Sequence, residues 1–251
     1  MSNALAWQQH LDARGRAGSL LIQERGDLPP GLRPVVEPEP LEFVFGPQVP
    51  GQEKCVMEAM IAGSKTTLDG ELACEGVDEF GLLALVVDTH ECVAHHQRFF
   101  LPDELQGHGI ARRRLEAAKS LYRGLGLTEI RLRAENVGKY AWASLGFRFA
   151  DGETRELVNV AVRRFARELE LVLPFLEFAD PADIVSLNEW TAANGAIYDA
   201  VVDTDLVWDV LARRFDRPFW PPPRPARELR VGQALLLYAD YDGWDAVLPL
   251  Y

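Results

Sequence analysis

The stretch Phe99-Phe100-Leu101-Pro102-Asp103-Glu104-Leu105-Gln106-Gly107-His108-Gly109-Ile110-Ala111-Arg112-Arg113 decides the fold. Residues 99–101 are a short apolar run with aromatic weight, which suits a buried strand. Gly107 and Gly109 flank a single residue, so the backbone there can adopt dihedrals closed to other residues and approach a ligand closely. From Ala111 onward the apolar residues Ala111, Leu115, Ala118, Tyr122 and Leu125 fall on one stripe of a helix. Gly126 then reads as its left-handed C-terminal cap. The order is strand, glycine turn, helix.

A glycine loop opening a helix leaves backbone N–H groups pointing the same way, and the helix dipole adds partial positive charge. Such a loop can seat a phosphate. Arg112, Arg113 and Arg114 run against the dipole's preference for acidic residues in a first turn, which an anion nearby accounts for. A surface turn with three solvated arginines is the competing reading.

The string Gln106-Gly107-His108-Gly109-Ile110-Ala111 resembles the Q/R-x-x-G-x-G/A signature of the GNAT superfamily of N-acetyltransferases. A second block, Asn136-Val137-Gly138-Lys139-Tyr140-Ala141-Trp142-Ala143-Ser144-Leu145-Gly146-Phe147, is similar to that family's Asn, short helix and Leu-Gly-Phe segment. The strand at 129–135 lies between the two blocks. The resemblance spans residues 93–149. It implies a mixed α/β sheet of the acyl-CoA N-acyltransferase fold, with acetyl-CoA as cofactor and its pyrophosphate in the loop. The cofactor-binding residues it implies are Phe99, Phe100 and Leu101 through the strand backbone, then Gln106, Gly107, His108, Gly109, Ile110, Ala111 and Arg112, and Asn136 in the second block.

The 251 residues allow one large domain or two small ones. At 48% hydrophobic and 25% charged residues the chain is an ordinary globular protein. A net charge of −12 argues against nucleic acid as a partner and is compatible with a basic or amine substrate. The cysteines Cys55, Cys74 and Cys92 are odd in number and not at metal-ligand spacing, so they read as reduced thiols and no metal is expected. The absence of a long apolar run and of a signal-like N-terminus gives the expectation of a cytoplasmic protein without a membrane partner.

Residues 1–40, broken by Gly26-Asp27-Leu28-Pro29-Pro30-Gly31, read as an arm or linker. An acyltransferase core is expected over 41–155, with strands at 41–45, 54–62, 66–74, 80–88 and 92–101, the segment 54–62 being open to a helical reading as well through Met57, Ala59 and Met60. Residues 156–251 read as a mostly helical extension packed on that core. Its helices are expected at 156–173 (stripe Leu157, Val160, Ala161, Phe165, Leu169), from Asp180-Pro181 to about 193, and at 204–215 with Thr204 as cap. A proline-rich loop follows at 217–225, then a strand at 233–238 and a turn at Asp242-Gly243.

Acyl transfer from a thioester to an amine requires a polarised carbonyl, a base for the ammonium and help for the leaving thiolate. The resemblance implies that backbone amides of the strand ending at Leu101 polarise the carbonyl. His95, His96 and Glu135 are candidate bases. Strand alternation puts only one of the two histidines in a cleft, and His95 is expected on the face of Gln97, Phe99 and Leu101, unless a β-bulge intervenes. A histidine simply hydrogen-bonded in its strand, and a solvated Glu135, are the alternatives. The family's tyrosine acid falls at Trp142 here, which can donate a hydrogen bond but cannot supply a proton. Tyr140 lies on another face of the same helix. Both are also read as core aromatics.

The resulting expectation is an acetyl-CoA-dependent N-acyltransferase acting on an amine of a small molecule or protein. A GNAT-like CoA-binding or regulatory module with little catalysis is one alternative. A toxin- or phage-associated accessory acetyltransferase is another. Homodimerisation is left open.

Overall fold

The computed structural model describes residues 52–62, 64–74, 81–102, 105–173, 177–191, 197–199, 201–214 and 229–251. The expected arm at 1–40, the strand at 41–45 and the proline-rich loop at 217–225 lie outside them. The described residues form a mixed α/β structure with six helices. The chain makes two compact units, Met1–Leu132 with Pro249–Tyr251, and Arg133–Leu248.

In the first unit, β1 (Gln52–Ala62), β2 (Lys65–Cys74), β3 (Gly81–Asp88) and β4 (Val93–Phe100) form an antiparallel meander. Short turns make this pairing the economical one. The turn after β3 is built on Asp88, whose Oδ1 accepts from the backbone N–H of His90 at 3.0 Å and Glu91 at 3.2 Å. These bonds, that from Glu91 foremost, hold its carboxyl below the usual range. β5 (Glu129–Glu135) then runs parallel to β4, from Val93 opposite Glu129 to His96 opposite Leu132.

The parallel step needs a crossover, supplied by α1 (Ile110–Gly124). Leu115, Ala118 and Tyr122 of the expected stripe are buried, joined by Ile110 and Ala117. At its end Leu127 N–H donates to Tyr122 O and Gly126 N–H to Arg123 O, the paired bonds of a Schellman motif, with Gly126 at φ 76°. Leu250, near the C-terminus, donates its N–H to Thr128 O at 2.9 Å.

In the second unit, α2 (Gly138–Ser144) precedes the short β6 (Arg148–Phe149), which pairs antiparallel with β11 (Gly243–Pro249). Only a turn was expected at 242–243; a strand starts there. Gly243 is required because a Cβ would stand 2.6 Å from Ala134 O.

Helix α3 (Gly152–Glu168) starts earlier than the expected 156, because the Asp151 side chain caps it by accepting from Thr154 N–H at 2.7 Å. Its inward face also differs from the expected stripe. Val158, Ala161, Val162, Phe165 and Leu169 are buried, whereas Leu157 and Val160 are each 51% exposed.

Helix α4 (Pro181–Ser186) has the expected Asp180 cap, completed by Asp183 as a capping box. It stops at Ser186 rather than near 193, and β7 (Glu189–Thr191) pairs with β8 (Ile197–Asp199) instead. β9 (Val201–Val202) pairs with β10 (Leu229–Arg230). Between them α5 (Thr204–Arg214) begins one residue after Asp203, whose carboxylate accepts from Asp205 N–H at 2.9 Å, so Asp203 rather than Thr204 holds the cap place.

The strand expected at 233–238 is a helix, α6 (Val231–Tyr238). A continuous apolar run carries no period to separate the two structures. Packing decides: Gly232, Ala234, Leu235 and Leu236 are all buried, and the Gly232 Cα lies against the Ile184 carbonyl, where no Cβ fits. Among the described residues no helix is long and apolar enough to cross a membrane.

Candidate functional site

The glycine loop has the backbone that its composition implies. Gly107 (φ 80°) and Gly109 (φ 72°) are both left-handed, and both are exposed together with His108. Gly109 is the residue before α1, and no side chain caps that end. The first helical bond runs from Arg113 N–H to Gly109 O at 3.1 Å. The N–H groups of Ile110, Ala111 and Arg112 precede it and find no carbonyl within the helix. Gln106 donates from Nε2 to Leu101 O at 2.9 Å and so ties the loop to the end of the strand. Of the three arginines, Arg112 and Arg113 are exposed, but Arg114 is buried at 5% exposure and turns inward. The expectation that all three flank an anion is corrected to two.

Strand β4 carries a bulge. Leu85 faces His96, yet the next residue of β3, Ala84, faces Arg98, so Gln97 is the extra residue. Residues directly opposite in an antiparallel pair share a face. Phe99, opposite Leu83, therefore lies on the face of Ala94 and His96, while His95, opposite Val86, shares its face with Arg98 and Phe100. This corrects the expectation that Phe99 stands with His95. Simple alternation fails because the bulge resets it. The parallel ladder with β5 ends at His96, while the ladder with β3 continues to Phe100 opposite Leu82.

The two histidines have different surroundings. His96 Nε2 lies 2.9 Å from the Tyr122 hydroxyl, with the rings edge to face. Burial, with a smaller push from His95, brings His96 down to about 4. It is a neutral, internally bonded histidine. His95 is half-buried; burial first, then the Arg131 guanidinium, holds it below its ordinary value, with Asp88 opposing. Its imidazole is thus unprotonated near neutral pH and able to accept a proton.

The second block forms its own constellation. Asn136 is exposed and left-handed at φ 51°. Glu135 is exposed and accepts from Arg133 Nε at 3.0 Å; Arg133 also donates to Asp245 at 3.3 Å. Leu145-Gly146-Phe147 ends α2: Phe147 N–H donates to Trp142 O, Gly146 N–H to Ala143 O, and Gly146 sits at φ 88°. This is a second Schellman motif, and the Trp142 and Phe147 rings make its apolar contact, 5.4 Å apart and edge to face. Tyr140 points elsewhere. Its hydroxyl accepts from Asn188 Nδ2 at 3.0 Å, and Asn188 Oδ1 accepts from Gln233 N–H at 3.1 Å.

Two side chains were not singled out from sequence. Asn188, 4% exposed, joins α2 to the start of α6, and its place directly after a helix stop gave no motif to find. Lys139, 5% exposed, donates from Nζ to Tyr241 O at 3.2 Å and lies 4.2 Å from the Tyr241 ring centroid. Burial brings its amine down to about 8, against the pull of Asp242 and Asp240. A lysine inside an apolar helical pattern was its only signal. Among the described residues no group of three or more histidine, cysteine or acidic side chains is placed to hold a metal ion.

No family model matches the chain, and no curated protein matches it. Among solved structures it is similar to a crystal structure of nourseothricin acetyltransferase, with 19% identity and a TM-score of 0.29. That likeness covers 35% of this chain and 52% of the other, so the chain spans about half the length of that protein.

Proposed function

We propose that the chain is an acetyl-CoA-dependent N-acyltransferase acting on an amine of a small molecule or protein. The observation that carries this reading is the left-handed Gly107 and Gly109 at the uncapped start of α1, in the motif Gln106-Gly107-His108-Gly109-Ile110-Ala111. The first-turn N–H groups, with Arg112 beside them, suit the pyrophosphate of the cofactor. Residues 99–101, anchored by Gln106, would offer backbone groups to the pantetheine arm. His95 is the proposed base: it takes the ammonium proton, the amine nitrogen bonds to the thioester carbon, the C–S bond breaks, and the second proton lost by the nitrogen passes to the departing CoA thiolate. Glu135 is the rival base, Asn136 a second cofactor contact, and Tyr140 or Trp142 a donor to the leaving sulfur. The catalytic core is assigned to 41–155, with 1–40 as an arm, 156–251 as an extension, and the cytoplasm as the compartment.

A CoA-binding module without turnover is the second reading. Trp142 favours it, since it stands where the family's tyrosine acid is expected and already serves as the apolar contact of a helix stop.

Titration calorimetry with CoA tests the cofactor claim. Micromolar-range binding is expected in the wild type. It should be lost in Gly109→Val, whose side chain would enter the loop 3.3 Å from Arg113 Nη1 at a φ disfavoured for valine. Unchanged affinity in a helical, folded Gly109→Val protein defeats the claim. Acyl transfer to an amine panel then separates the enzyme from the binding module.

A further inference from the structure

The outward face of α3 carries apolar residues that the core does not use. Leu157 and Val160 are each 51% exposed, and with Ala161 they floor a shallow groove of about 600 Å³ whose far wall is Asp240. Glu153, Glu156, Leu157, Val160, Arg164 and Arg167 are all exposed, and their spacing puts them on one stripe. The stripe is ordered: acids at its N-terminal end, apolar residues in the middle, arginines at its C-terminal end.

We propose that this stripe is a homodimer interface, with α3 packing antiparallel against α3 of a second copy about a two-fold axis near Val160. The argument is charge complementarity. A two-fold interface must be self-complementary. Antiparallel pairing centred on Val160 brings Glu153 against the copy's Arg167 and Glu156 against the copy's Arg164, with Val160 meeting its own counterpart and the Leu157 side chains flanking it. A purely acidic or purely basic helix from another protein would meet like charge at one end of the stripe. The present partners of these arginines do not oppose the arrangement. Arg164 reaches Glu168 at 3.2 Å and Asp240 at 3.9 Å, and Arg167 donates to the Arg163 carbonyl at 3.3 Å, all at the surface. Exposed pairs of this kind are readily exchanged. One helix pair is smaller than a standard interface, so the dimer is weak and concentration-dependent.

Sedimentation equilibrium on the full chain, from low micromolar to near-millimolar concentration, tests this. The wild type should pass from monomer to dimer. Val160→Glu should weaken association by about 100-fold, because it sets two carboxylates at the axis. The double variants Glu153→Arg/Glu156→Arg and Arg164→Glu/Arg167→Glu should each be monomeric alone and should form a heterodimer when mixed. That rescue depends on pairing and not on folding, and circular dichroism checks each fold. A wild type that stays monomeric throughout overturns the proposal; the stripe is then left to solvent or to residues of this chain outside those described. A dimer indifferent to Val160→Glu, or variants that fail to associate on mixing, overturns it as well.

Discussion

Replacing Lys139 with methionine should stabilise the protein and remove a specific pH dependence. The amine falls from 10.5 to about 8 on folding, chiefly because it is buried, while Asp242 and Asp240 pull the other way. At about 1.4 kcal/mol per pKa unit, holding the charge inside costs about 3 kcal/mol at pH 7. Methionine keeps the apolar stem and removes the charge. It gives up the hydrogen bond to Tyr241 O and the contact with the Tyr241 ring, each worth about 1 kcal/mol. A net gain of about 1 kcal/mol remains. The pH dependence is the sharper test. Between pH 8 and 10.5 the unfolded chain holds a proton on this lysine that the native state has released, so stability rises with pH across that window. Urea unfolding is followed from pH 7 to about 9.5; the tyrosine ionisation that begins in the unfolded chain near the top of this range is common to both proteins and cancels in their difference. Over this range the wild type should gain about 2 kcal/mol relative to Lys139→Met. A stability difference between the two proteins that does not change with pH would show that Lys139 is not buried as a cation and would refute the reasoning.

His96, held at about 4, should lower stability as pH falls from 6.5, because the unfolded chain takes up the proton first; urea titrations should show this slope in the wild type and not in His96→Phe. Asn188→Ala leaves the Tyr140 hydroxyl and the Gln233 N–H without their partner, and chemical denaturation should read a loss of about 2–3 kcal/mol. If acylation is found, His95→Ala should cut its rate about 100-fold with CoA affinity retained, and should remove the acid limb of the pH–rate profile; retention of that limb, with its loss in Glu135→Gln, transfers the role to Glu135.

Elements whose residues must satisfy a local rule were legible in the sequence. The meander, α1 and the parallel β5 follow from apolar runs, short turns and Gly126. What failed depended on partners distant in the chain. The bulge at Gln97 exists only relative to β3, and nothing in Val93-Ala94-His95-His96-Gln97-Arg98 announces it. Helix α3 carries two apolar stripes. The buried one, Val158, Ala161, Val162, Phe165 and Leu169, has the better helical spacing, and the expected stripe mixed it with Leu157 and Val160 from the other face. Helix α6 was hidden by burial on most sides, with Gly232 as its one informative residue.

The two blocks that suggested an acyltransferase do not have equal weight once their geometry is considered. The second block loses force. Its Leu-Gly-Phe is a Schellman motif, and Trp142 is the apolar partner that motif favours, so helix termination accounts for Trp142, Gly146 and Phe147 without any ligand. Gly126 needs no further explanation for the same reason. Gly107 and Gly109 stand at a helix start, where that rule does not operate. A helix N-terminus is ordinarily opened by an extended residue with a capping side chain. This chain caps two of its helices that way, with Asp151 opening α3 at φ −154° and Asp180 opening α4 at φ −133° in a capping box with Asp183, whereas α2 and α6 start after Val137 and Arg230 with no side-chain cap and no first-turn acid but at negative φ. At α1 it uses a left-handed glycine at φ 72°, no side-chain cap and no acidic residue in the first turn. Helix formation does not require that substitution and forgoes about 1 kcal/mol of capping by it. An anion on those amides would supply what a carboxylate supplies at α3 and α4, and this makes the start of α1, more than the second block, the place where the proposed cofactor has to be tested.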